Sequence, residues 1–97
     1  MQPEHGGRVE LRLVDADESQ ARYEVLLFDP AARWATEAAV RGEQVLELGA
    51  WSGPAEPPTW LQALARTLLR GTARQHHAAG SWPRRLTRWR PGPGHEE

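Results

Sequence analysis

The chain contains no cysteine, no lysine, no asparagine and no isoleucine. Without cysteine there is no disulfide framework and no thiolate zinc site. Lysine, asparagine and isoleucine all use codons rich in A and T. Their joint absence, against fourteen alanines and twelve arginines, points to a GC-rich, bacterial genome. Arginine is then the only strong cation in ready supply, so its use in place of lysine says nothing about bidentate phosphate recognition. No apolar run approaches the ~18 residues of a membrane span. Met1-Gln2-Pro3-Glu4-His5 has neither the basic start nor the apolar stretch of a secretory signal. A cytoplasmic protein is expected.

What is present is 97 residues, enough for one domain with one modest core. Trp34, Trp51, Trp60, Trp82 and Trp89 are many tryptophans for that length. Each buries ~150–250 Å², so three of them inside would make a large share of the core.

The first half reads as strands. Val9-Glu10-Leu11-Arg12-Leu13 alternates apolar and charged residues, as a half-buried strand does. A polar break at residues 15–19 suits a hairpin loop. Tyr23, Val25 and Leu27 form one face of a second strand, which Asp29-Pro30 ends. Residues 33–40 predict a third strand with Trp34, Thr36, Ala38 and Val40 on one side. After the tight turn at Arg41-Gly42-Glu43, residues 44–51 predict a fourth, with Leu46, Leu48 and Ala50 on one face. Short connections favour an antiparallel meander.

A breaker-rich linker over 52–58 precedes a change of period from two to about 3.6. Leu61, Leu64, Ala65, Leu68 and Thr72 line one face of a helix running from 59 or 60 to about 77. Thr59 with Gln62 fits a capping box, and Ala79-Gly80 ends the helix. Gly71 inside it costs ~1 kcal/mol relative to alanine, so a close approach or a kink is expected there. Residues 82–90 read equally as a short helix, from Trp82, Leu86 and Trp89, or as an alternating strand. The expected fold is α+β: a three- to four-stranded antiparallel meander with one main helix packed across it and a short basic C-terminal element. Residues 1–7 form a flexible lead, 8–90 the domain and 91–97 a disordered tail.

Catalytic and metal chemistry finds little support. His76 and His77 are adjacent, so on a helix they point about 100° apart and do not chelate one ion. Asp15, Asp17 and Glu18 lack the glycine and the distal glutamate of a calcium loop. Ser19, Ser52 and Ser81 sit in no nucleophile-elbow context. Glu24 and Glu37 are better read as cross-strand partners of arginine than as a catalytic pair. Residues 49–53 lack the lysine of a phosphate loop. No enzyme, no metal and no cofactor is expected.

The distribution of charge is the strongest functional signal. Residues 1–56 hold five arginines against eleven acidic residues, a net of −6; residues 57–97 hold seven against two, a net of +5. Arg66, Arg70 and Arg74 recur at i, i+4 and i+8 on the helix. Arg84, Arg85 and Arg88 extend that charge, with Trp82 and Trp89 interleaved. A solvated face is the plainest reading, since like charges at this spacing cost only ~0.2–0.5 kcal/mol per pair. The functional reading is a small non-enzymatic binding or adaptor protein. Its arginine-tryptophan face would dock an acidic protein partner, or the acidic loops of a second copy, because Arg and Trp are favoured at interface hot spots. The alternative is binding of single-stranded nucleic acid, with phosphates on the arginines and bases stacked on the two tryptophans.

Overall fold

A computed structural model of the chain describes residues 6–42 and 44–91, and of residues 46–48 the backbone alone. Its elements are β1 (Gly7–Ala16), β2 (Gln20–Phe28), β3 (Arg33–Arg41), β4 (Gln44–Leu48), α1 (Thr59–Ala79) and β5 (Arg85–Arg90). The strands form one antiparallel sheet in the order β4-β3-β2-β1-β5. The α+β class and the meander of the first four strands are as expected. The strand count is five rather than three or four, because residues 85–90 pair with β1. An open outer edge on β1 would leave a row of backbone groups without partners, and β5 satisfies it. Residues 1–5 of the expected lead and 92–97 of the expected tail lie outside the described residues, and Gly7 already belongs to β1.

Strict alternation builds the core. Val9 and Leu11 on β1, Ala21, Tyr23, Val25 and Leu27 on β2, and Trp34, Thr36, Ala38 and Val40 on β3 are all buried on one face. The helix covers β1 to β4. Its buried residues are Leu61, Ala65, Leu69, Thr72 and Ala73. Leu64 and Leu68, expected at the centre of that face, are only half-buried beside it. The docked face is rotated toward Leu69 and Ala73, a choice that depends on the helix's seat on the sheet and not on its own periodicity.

The helix begins differently from expectation. Pro58 is the N-cap, with no side-chain capping bond. Thr59 is therefore already inside the helix, and the Gln62 amide reaches back to the Pro57 carbonyl oxygen at 2.9 Å. At the other end Gly80 adopts the left-handed conformation (φ 80°), and its N–H donates to the His76 carbonyl. Gly71 has nothing within 4 Å of the place a Cβ would take, so no close approach explains it.

Two straps tie the layers together. The register of β3 and β4 shifts at Ala39/Val40, which turns Val45 onto the core side opposite Val40. The chain then follows the β3 edge through a bridge between Ala35 and Ser52. It passes over Trp34, whose Nε1 donates to the Ala55 carbonyl at 2.6 Å. Gly53 packs so closely on the Trp34 ring that any side chain there would collide with it. The second strap is Tyr23, fully buried, whose hydroxyl donates to the Pro83 carbonyl. Burial pushes its pKa up to about 12, and the nearby Thr72 hydroxyl pulls weakly the other way.

Candidate binding surfaces

The sequence singled out eight residues, and the fold distributes them over three places. Arg66, Arg70 and Arg74 are exposed on the outer side of α1. Arg84, Arg85 and Arg88 are exposed on and beside β5, the last strand of the sheet. Antiparallel partners share a face, so Arg88, opposite the buried Val9, lies on the helix side; Arg85, opposite Arg12, lies on the other side. Trp89 pairs with Arg8 on that second, open face and is 44% exposed.

Trp82 is half-buried and engaged within the fold. Its ring stacks on His76 at 4.2 Å between centroids with planes 8° apart, and its Nε1 donates to the Asp17 carbonyl at 3.0 Å. Asp17 in turn closes the β1–β2 hairpin: its carboxylate accepts from the Ser19 N–H and hydroxyl and from the Gln20 N–H. Those bonds, the Ser19 N–H first among them, hold the Asp17 carboxyl below its ordinary range. Asp15 therefore stays in β1, paired with Arg22, while Asp17 and Glu18 lie in a hairpin turn onto which Trp82 and, through His76, the helix end are fastened.

Among the described residues the ion pairs are Arg12 with Glu10 at 2.9 Å, Arg12 with Glu24 at 3.8 Å, and Arg22 with Asp15 at 2.7 Å. All of them lie in the acidic first half. None of Arg66, Arg70, Arg74, Arg84, Arg85, Arg88 and Arg90 pairs with a described carboxylate.

The face of the sheet away from the helix carries a further arrangement. Register places Trp89, Arg8, Phe28 and Arg33 side by side on one rung across β5, β1, β2 and β3. The Arg8 guanidinium carbon lies 4.5 Å from the centre of the Phe28 ring. That contact buries Phe28 on what is otherwise the open side. The Arg8 Nε is shut off from solvent and has no hydrogen-bond acceptor. The rungs below are Thr87, Glu10, Leu26 and Ala35, then Arg85, Arg12, Glu24 and Glu37. A groove of about 540 Å³ runs along these rungs, bounded by Arg8, Arg12, Arg33, Glu24, Leu26 and the 52–53 loop.

Alternation with the buried residues puts Arg12, Glu24 and Arg33 on this face, but it does not show the rung. Arg8, Phe28 and Trp89 meet only through the register of four strands. The signal available was parity alone, and only for two of them: Arg8 directly precedes the buried Val9 and Phe28 directly follows the buried Leu27, while Trp89 stands between two exposed arginines. Among the described residues no group of three or more metal-ligating side chains comes together, and no helix is long and apolar enough to cross a membrane. Comparisons with protein-family models, with curated proteins and with solved structures gave no match.

Proposed function

We propose that this protein is a small non-enzymatic binding module that docks an acidic protein segment on its basic C-terminal face. The observation that carries the reading is that none of the seven arginines from Arg66 to Arg90 pairs with a described carboxylate, while the ion pairs among the described residues, those of Arg12 and Arg22, lie in the first half. Uncompensated guanidinium groups raise the local potential and recruit carboxylates, first by steering and then by charge-assisted hydrogen bonds. The outer edge of β5 adds direction. An extended acidic segment laid along it gains main-chain hydrogen bonds, with Arg85 and Arg88 offering cations on both faces.

Single-stranded nucleic acid is the less favoured occupant. Trp82 is committed to His76 and Asp17, which takes away one of the two rings expected to stack on bases. The test uses a fluorescein-labelled polyglutamate peptide and an oligothymidylate of equal length, followed by anisotropy at 50 and 200 mM salt. Peptide binding that is lost in an R84Q/R85Q/R88Q variant supports the reading. Binding of the oligonucleotide alone, with log K falling against log salt at a slope near ~−3 for ~4 phosphate contacts, replaces it with the nucleic-acid reading. Binding of neither at 50 mM salt overturns both.

A further inference from the structure

A second candidate site lies in the groove on the open side of the sheet, where Arg12 and Arg8 are flanked by Arg85 and Trp89 of β5. We infer that its Arg8–Phe28–Arg33 rung holds the oxyanion of a small organic acid, a carboxylate or a phosphate ester. The groove volume of about 540 Å³ is that of a metabolite-sized pocket.

Charge within the groove is divided. At one end Arg12 draws in both carboxylates, Glu10 at 2.9 Å and Glu24 at 3.8 Å, so that end is largely neutralised. At the other end stand Arg8 and Arg33, neither of which makes an ion pair among the described residues. They flank Phe28 from the two neighbouring strands, which sets their backbones roughly 10 Å apart, two strand spacings. Both side chains line the groove, and that separation is within the reach of two arginines on a single oxyanion between them.

Arg8 is prepared for the task. Its guanidinium is seated on the Phe28 ring, which fixes its plane while leaving its outer N–H groups directed along that plane. Its Nε lies buried without an acceptor, and no described carboxylate pairs with its guanidinium. A cation held in an apolar seat beside a second unpaired cation is a pre-organised anion receptor. Leu26 and Ala35, one rung below, offer an apolar floor for the body of the ligand.

The test is a titration of the ¹⁵N-labelled protein with benzoate, phenyl phosphate, inorganic phosphate and, as a cationic control, benzylamine. Saturable amide shifts confined to the strands around Arg8, Phe28 and Arg33 support the site. Whether benzoate, phenyl phosphate or both produce them identifies the head group. R33Q, at an exposed position where folding is not at risk, should weaken binding about tenfold or more, and R8Q should do the same. R70Q on the helix should leave it unchanged, which separates this groove from the arginines of the helix. Absence of saturable shifts at millimolar acid, equal binding of benzylamine, or equal weakening by R70Q would each overturn the inference.

Discussion

The Tyr23 hydroxyl donates a 2.7 Å hydrogen bond to the carbonyl oxygen of Pro83, sixty residues further along the chain. The bond runs from the middle of the sheet to the segment that leads into β5. It joins the first half of the fold to the last strand. Tyr23→Phe should cost about 1–2 kcal/mol at neutral pH, since the Pro83 carbonyl loses its donor. Denaturant melts of the two proteins measure it.

The same residue sets an alkaline limit. Its pKa in the folded protein, about 12, lies above the ordinary value of about 10. The folded state therefore favours the neutral phenol. Its contribution is complete below pH 10 and is lost as pH rises through about 12, by on the order of 2 kcal/mol. Stability measured from pH 9 to 12 should fall more steeply in the wild type than in Tyr23→Phe. Parallel curves would show that the phenol ionises without penalty.

Trp82→Phe keeps an aromatic ring on His76 but removes the hydrogen bond to Asp17, and should cost about 1 kcal/mol. Trp82→Ala removes both and should cost about 3–5 kcal/mol if the site does not collapse. Thermal melts distinguish the fastening role from that of a free contact surface, for which both changes would be silent.

Gly71→Ala should stabilise the protein by about 0.4–1 kcal/mol. The glycine is helical and nothing stands within 4 Å of the added carbon, so the gain in helix propensity meets no steric cost. A loss of stability in thermal unfolding would mean that the position is kept for a partner.

Leu69→Ala should cost about 2–5 kcal/mol, and Leu64→Ala clearly less, because Leu69 is fully buried and Leu64 only half-buried. Replacing Arg66, Arg70 and Arg74 together with glutamine should leave the melting temperature unchanged or slightly raised. The three repel one another along the helix and pair with no described carboxylate.

Much of the fold was legible because one buried face forces a period of two. Tyr23, Val25 and Leu27, then Trp34, Thr36, Ala38 and Val40, announce their strands and their side. β5 was not legible. Its helix-side residues are Leu86, Arg88 and Arg90, so an edge position beyond the helix leaves almost no apolar alternation to read. The capping box failed because Pro58 took the cap. For the surface, charge could be counted from sequence but not paired. Arg12 and Arg8 look alike in the chain, yet one is held by two glutamates and the other lies on Phe28 without an acceptor.

The position of β5 beside β1 also orders the chain's birth. A ribosome that has released everything through Gly80 has made the meander and its helix, but the edge of β1 still waits for the final strand. Pairing of Gly7 with Arg90 closes nearly the whole chain in one loop, the slowest kind of contact to form. Until then β1 offers a template to any passing strand, including the β5 of another nascent copy. The exposed arginines of β5 repel those of another copy, which disfavours side-by-side pairing of two β5 strands.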